Sequence, residues 1–133
     1  MVEVSCRSLI EPFTHRSLNS IISEVFADRP FADIPISIPV VNPERTFLEK
    51  IFLLHEEFQK PRDKIRAERL SRHLYDIEKL SQVGFAEVAL YNTELYNTII
   101  KHREKFTPIS GINYANHSPD KIKFIPPHAL IKD

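Results

Sequence analysis

The sequence predicts an α+β fold that is mainly helical, with three principal helices and a small incomplete β-sheet. Apolar residues recur every three or four positions through the middle of the chain, and β-branched residues cluster in short runs nearer its N-terminus. A length of 133 residues suits one domain with a sizeable core. We expect that domain over residues 1–107, and an extended tail over residues 108–133 that packs on it or on a partner.

Two strands are expected on the N-terminal side. Residues 2–7 alternate apolar and polar side chains, which is the period of a half-buried strand. A helix is expected over residues 17–26, with Ser17 as its N-cap. Residues 34–41 are rich in β-branched side chains but contain two prolines, which predicts an edge strand or an extended segment.

The strongest helix signal begins at Asn42, a good N-cap, and at Pro43, which suits the first helical position. Its apolar stripe is spaced by four, three and four residues, and consists of Phe47, Ile51, Leu54 and Phe58. Pro61 marks the exit. After a basic linker, a second helix carries the stripe Leu70, Leu74 and Ile77, and Gly84 separates it from a third helix over residues 85–106.

Composition excludes several classes of protein. Two glycines against ten prolines argue against a glycine-rich phosphate loop, which needs several glycines close together. A single cysteine, Cys6, rules out an internal disulfide framework, and the six histidines lack the spacing of a zinc site. Formal net charge is zero, so no global field favours nucleic acid or a membrane. No apolar stretch approaches the roughly 18 residues that span a bilayer, and we expect a cytoplasmic protein.

A polar cluster lies on the first two strong helices. Lys50 is at the margin of the first apolar stripe, and the second helix carries Arg69, Arg72, His73 and Asp76 along one side. If the apolar stripes pack together, Lys50 and Asp76 face a common cleft, where an ammonium can bind phosphate and a carboxylate can bind a metal or orient a hydroxyl. The alternative is a surface ion pair between Arg72 and Asp76 with a snorkelling Lys50, and periodicity alone favours it.

Two sequence blocks add to that pattern. Pro43-Glu-Arg-Thr-Phe-Leu-Glu-Lys50 and the later Arg69-Leu-Ser-Arg-His-Leu-Tyr-Asp76-Ile together resemble the AbiEii/AbiGii-type toxin family of nucleotidyltransferases. Phe124-Ile-Pro-Pro127 and the opening strand before Glu11-Pro12 are also similar to that family, so the resemblance touches most of the chain. It implies a polymerase-β-like enzyme that moves a nucleotide from an NTP, with Mg²⁺, onto an RNA end such as tRNA or onto a protein, as the toxin of a toxin–antitoxin or phage-defence system.

The resemblance also implies roles for individual residues. Lys50 matches the motif lysine expected to contact the triphosphate, and Asp76 matches the acidic residue expected to support catalysis beside it. Arg72 and Tyr75 flank Asp76 and are expected to position the nucleotide. Glu3, on the first predicted strand, matches the place of a third acidic residue.

One family motif is not found. The family's first motif, a paired-glycine turn followed by Asp-x-Asp, supplies the carboxylates that hold the metal ions, and the chain has no paired glycines. We therefore expect the sequence to correspond to the C-terminal portion of the family, to contain no metal-ligand set of its own, and to be inactive alone.

Two alternatives to an enzyme fragment stay open. The first is a non-catalytic module that binds RNA or a cognate antitoxin through a basic stretch, namely Lys60, Arg62, Lys64, Arg66 and Arg69. The same stretch is also typical of a solvated helix connection. The second is a helical scaffold that associates with another copy of itself, as a homodimer, through exposed strand edges and apolar surface.

Overall fold

The structure is a computed structural model that describes residues 12–127. Two compact units are distinguished, residues 10–42 and the helical part that begins at Pro43. The strand expected over residues 2–7 and the candidate residue Glu3 lie outside the described residues. Within residues 12–127 there are five helices and one two-stranded antiparallel sheet, which confirms the α+β class and its mainly helical character.

The first unit is built on an antiparallel strand pair. Strand β1 spans Phe13–Leu18 and strand β2 spans Ile36–Val41, with Phe13 opposite Val41 and Leu18 opposite Ile36. The strand expected over residues 34–41 is confirmed from Ile36 to Val41, whereas the strand Phe13–Leu18 was not predicted. Most large apolar side chains of this unit are exposed.

The helix expected over residues 17–26 is shorter than predicted. Helix α1 spans Ile21–Val25, and Ser17 lies in β1 instead, paired with Ser37. The N-cap is Ser20, whose hydroxyl accepts a hydrogen bond from the Ser23 amide at 3.1 Å. The Asp33 carboxylate accepts from the Ser20 amide at 2.9 Å and from the hydroxyls of Ser20 and Ser23. These hydrogen bonds fix the N-cap at Ser20, three residues after the N-cap that the sequence pattern indicates.

The second unit is organised around helix α2, Pro43–Phe58, which begins where the Asn-Pro-Glu signal places it. Its apolar side chains form half of the buried core of the described residues, namely Phe47, Leu48, Ile51, Phe52 and Leu54. Helix α3, Leu70–Gln82, packs Leu70 and Ile77 into the same core. Between the two helices the basic linker forms two short 3₁₀ turns, Arg62–Lys64 and Ala67–Arg69.

The third predicted helix is two helices. Helix α4 spans Phe85–Tyr91 and helix α5 spans Thr93–Phe106. The prediction of one helix was wrong at Asn92, whose side-chain oxygen accepts a hydrogen bond from the Leu95 amide at 3.0 Å and so starts a new helix. Gly84 separates α3 from α4 as expected, with a φ of 83° that a glycine adopts without strain.

Residues 107–127 contain one 3₁₀ turn, Tyr114–His117. Ile122 and Phe124 pack against the core that α2 organises. No helix in the described part of the chain is long and apolar enough to cross a membrane.

Candidate functional site

An ion pair joins the two helices of the predicted site. The Lys50 Nζ on α2 lies 2.7 Å from Oδ2 of Asp76 on α3. The Lys50 side chain is 21% exposed and the Asp76 side chain 43% exposed, so the pair lies at the rim of the interface, accessible to a ligand. The cleft predicted from the two apolar stripes thus brings these two residues together.

The surrounding charges shift the pKa values of two titratable groups on α3, Asp76 and His73. The hydrogen bond from Lys50 holds the pKa of Asp76 below its usual range. Burial lowers the pKa of the neighbouring His73, and the positive charges of Lys50 and Arg72 lower it further. The Nδ1 atom of His73 is buried and has no hydrogen-bond partner among residues 12–127. At neutral pH the site therefore pairs an ionised carboxylate with a neutral imidazole.

Tyr75 and Arg72 do not join the ion pair. The Tyr75 ring is exposed, with the Lys79 ammonium 5.3 Å from its centroid. Arg72 is exposed and lines a separate cavity further along the groove between α2 and α3.

That cavity has a volume of about 260 Å³. Five cationic side chains and two carboxylates contribute to its wall, together with His73 and apolar side chains; the charged members are Lys60, Arg66, Arg69, Arg72, Arg103, Glu56 and Glu57. Four residues that the sequence assigned to separate nucleotide and RNA sets, Arg72 on one side and Lys60, Arg66 and Arg69 on the other, therefore share one cavity. Arg62 and Lys64 lie exposed on the first 3₁₀ turn and do not line it.

Both carboxylates of the cavity are already matched by cations. Glu57 accepts hydrogen bonds from Lys60 Nζ at 2.5 Å and from the Arg66 amide at 2.9 Å, and the Arg66 guanidinium lies 3.6 Å away. Burial raises the pKa of Glu57, but these bonds more than offset it and leave the pKa below its usual value. Glu56 is bound by Arg103. Among the described residues, no hydrogen bond or ion pair engages the side chains of Arg69 and Arg72, although the charge of Arg72 acts on Asp76 and lowers its pKa.

The donor set does not fit a resident Mg²⁺. Among residues 12–127 no three His, Cys, Asp or Glu side chains converge in a way that could hold a metal ion. The carboxylate of Asp76 is paired with Lys50, and those of Glu56 and Glu57 with their own cations. Cation pairing of this kind opposes metal binding, because the metal would have to displace the ammonium or guanidinium.

A second polar constellation was missed by the sequence reasoning. Arg103 of α5 donates from Nε to Glu56 Oε1 at 2.8 Å, and its other nitrogens bind Glu56 and Glu49. The buried imidazole of His117 lies 3.2 Å from Glu56 Oε1 and stacks on the Tyr114 ring. No spacing signal connects these residues, because Glu56 is 47 positions from Arg103 and 61 from His117.

The hydrogen bonds of this network stabilise the charged forms of Glu56 and Arg103 inside the helical unit. Burial raises the pKa of Glu56, but the hydrogen bonds from Arg103 and His117 outweigh it and lower the pKa overall. Burial lowers the pKa of Arg103, and the two glutamates reverse that and raise it. The network ties α2, α5 and the 3₁₀ turn Tyr114–His117 together beside the cavity.

Comparison with protein families identifies the chain. A model described as nucleotidyl transferase AbiEii toxin, type IV TA system, matches residues 1–130. The chain belongs to this family. The matched region contains both helices of the ion pair, and it confirms the resemblance carried by the Lys50 and Asp76 sequence blocks. Neither the curated proteins nor the solved structures gave a match to this AbiEii-family chain.

Proposed function

We propose that this chain is part of a cytoplasmic toxin nucleotidyltransferase in which Lys50 and Asp76 line the nucleotide-transfer site. The reaction would move a nucleotide from an NTP onto an RNA end or a protein, in a toxin–antitoxin system that serves phage defence. One observation carries the proposal. Two family-like sequence blocks, 26 positions apart, meet through a 2.7 Å contact between their lysine and aspartate.

The chemistry of the pair suits a triphosphate ligand. The Lys50 ammonium is a compact charge on a largely buried stem, so it is held ready at the edge of the groove. Asp76 is ionised at neutral pH like any aspartate, and the hydrogen bond from Lys50 lowers its pKa further. It can therefore orient the ammonium or a hydroxyl, and it is a poor proton donor.

Complete transfer chemistry needs more than this pair. Phosphoryl and nucleotidyl transfer depend on metal ions that neutralise developing charge, and the described residues bring no carboxylate set together for them. We therefore expect residues 1–133 alone to bind NTP without transferring it. Nucleotide transfer to RNA by this chain, with Mg²⁺ and all four NTPs, would refute that expectation.

NTP binding by thermal shift tests the proposal. The parent chain and its Lys50→Ala variant are titrated with ATP, and Lys101→Ala, an exposed lysine on α5, serves as the matched control. We expect a ligand-dependent rise in melting temperature for the parent and the control, and a clearly smaller rise for Lys50→Ala. Equal shifts for all three proteins would remove Lys50 from the nucleotide site.

RNA binding through the basic linker is a second candidate function. It is supported by the exposure of Arg62, Lys64, Arg66 and Arg69 along the two 3₁₀ turns. Filter binding to tRNA across a range of salt concentrations tests it, since each phosphate contact steepens the salt dependence. The family also implies an antitoxin partner, and we propose that the same basic surface is accessible to it.

A further inference from the structure

The last turn of α2 is joined to residues 118–127 through a buried histidine. His55 is 3% exposed, and its Nδ1 atom accepts a hydrogen bond from the backbone amide of Lys123 at 3.0 Å. The two residues that flank Lys123, Ile122 and Phe124, pack against the core of the helical unit. This hydrogen bond therefore lies among the apolar contacts that dock the segment.

The same hydrogen bond determines which nitrogen of His55 carries a proton. A backbone amide can only donate, so Nδ1 is unprotonated and the proton of the neutral ring lies on Nε2. Protonation of the ring puts a second hydrogen on Nδ1, where it would face the hydrogen of the Lys123 amide. The contact therefore exists only while the imidazole is neutral.

The groups around His55 also oppose a positive charge on its ring. The ring meets the buried His117 ring edge-on, with the two centroids 4.8 Å apart. Burial lowers the pKa of His55 below its ordinary value of 6.5, and His117 lowers it further, against a smaller opposing effect of Glu56. The carboxylate of Glu56 is itself bound by Arg103 and by His117, so its charge is already matched.

We propose that His55 is an acid-sensitive latch: its neutral imidazole holds residues 118–127 against α2, and its protonation releases them. Once the segment is released, His55 is hydrated and binds a proton more readily than in the docked form. Docking is therefore strongest above about pH 6.5 and weakens as the pH falls below that value. Release uncovers the part of the core against which Ile122 and Phe124 pack. The latch makes no use of nucleotide binding or transfer, so it stands or falls separately from the proposed function.

Hydrogen exchange of the Lys123 amide, followed by NMR on the full chain, tests the latch. Protection factors, which correct for the intrinsic pH dependence of exchange, are measured from about pH 7.5 to about pH 5. We expect a constant value at Lys123 above about pH 7, and below about pH 6.5 a fall that approaches 10-fold per pH unit, as uptake of one proton requires. The amide of Ile51, in the middle of α2, should keep its protection. A constant value at Lys123, or an equal fall at Ile51, would overturn the proposal.

Substitutions assign the effect to His55. His55→Asn keeps an oxygen acceptor near the place of Nδ1 and does not titrate, so protection at Lys123 should no longer change with pH. His15→Asn, at an exposed histidine of the first unit, is the matched control and should respond to pH as the parent does. If His55→Asn does not fold, the ring nitrogen shifts of His55 in the parent decide, because they should show an unprotonated Nδ1 at neutral pH and titrate together with the loss of protection. An unchanged pH response in His55→Asn, a lost response in His15→Asn or a protonated Nδ1 at neutral pH would overturn the assignment.

Discussion

Arg103 of α5 binds Glu56 of α2 through Nε at 2.8 Å, and both side chains are largely buried. A charge withdrawn from water is costly unless it is paired, so each residue depends on the other. The pair lies at the join between α2, α5 and the turn Tyr114–His117. The stability of the helical unit should therefore be sensitive to it.

Glu56→Gln should lower the free energy of unfolding by about 3 kcal/mol, because it leaves Arg103 with one carboxylate fewer in a buried position. Chemical denaturation measures the change. Glu104→Gln, an exposed glutamate on the same helix as Arg103, should change it by less than about 0.5 kcal/mol. Equal effects of the two substitutions would contradict a structural role for the buried pair.

The free energy of unfolding should decrease at acidic pH, in part because Glu56 becomes protonated. Its pKa is lower in the folded chain than its ordinary value of 4.5, so ionised Glu56 stabilises the fold above that value. The contribution is lost as pH falls through the lower folded pKa. Denaturation series between pH 7 and pH 3 should show a smaller loss of stability for Glu56→Gln than for the parent, and parallel curves would contradict the account.

The Tyr96 side chain should stabilise the packing of the 3₁₀ turn Tyr114–His117 against α5. Its hydroxyl donates a 2.7 Å hydrogen bond to the His117 carbonyl, and burial, with the nearby charge of Asp120, raises the pKa of Tyr96 to about 12, so the donor proton is retained. Tyr96→Phe should cost about 1–2 kcal/mol, since it leaves a buried carbonyl unsatisfied. Tyr91→Phe, at an exposed tyrosine, is the control and should be nearly neutral.

The pKa of His73 should change when an anion binds in the cavity between α2 and α3, because His73 lines that cavity. Burial, Lys50 of α2 and Arg72 of its own helix lower its pKa, against a smaller opposing effect of Asp76. A bound anion stabilises the protonated imidazole, so pyrophosphate should raise the pKa of His73 and its binding should take up protons. Histidine NMR titration with and without pyrophosphate measures both values, and an unchanged pKa at saturating ligand would place the anion elsewhere.

Parts of the fold follow from local sequence signals. The Asn-Pro-Glu start of α2, its apolar stripe and the Gly84 break are all properties of neighbouring residues, and the structure confirms them. The helix break at Asn92 and the N-cap at Ser20 were missed. In each case a side-chain hydrogen bond competes with an apolar pattern that continues across it.

The candidate site likewise has a part that local sequence patterns predict and a part that depends on contacts between distant residues. Helical spacing placed Lys50 and Asp76 at a common cleft only on the condition that the two apolar stripes pack together. The two residues do meet in the structure, as an ion pair between α2 and α3. The joining of Arg72 with Lys60, Arg66 and Arg69 in one cavity depends on how the linker folds back on α2, which no local pattern encodes. The buried Glu56 network needs contacts across more than 40 positions, and periodicity carries no information at that range.

Substitution of Asp76 separates stability from ligand binding. The Asp76 side chain is 43% exposed, so its ion pair with Lys50 should contribute only about 0.5 kcal/mol to folding. Asp76→Asn should therefore fold almost as well as the parent, while the released Lys50 ammonium changes its affinity for ATP. Thermal denaturation without ligand checks the first part, and a loss of several kcal/mol would contradict a surface pair.

The most direct test of the nucleotide site is the dissociation constant of ATP, measured by calorimetry, for the parent, Lys50→Ala and Lys50→Arg. If the Lys50 ammonium binds the triphosphate, Lys50→Ala should weaken binding about 10-fold, and Lys50→Arg, which keeps the charge, should recover part of that loss. Identical dissociation constants for the three proteins would contradict the role of the Lys50–Asp76 pair in nucleotide binding.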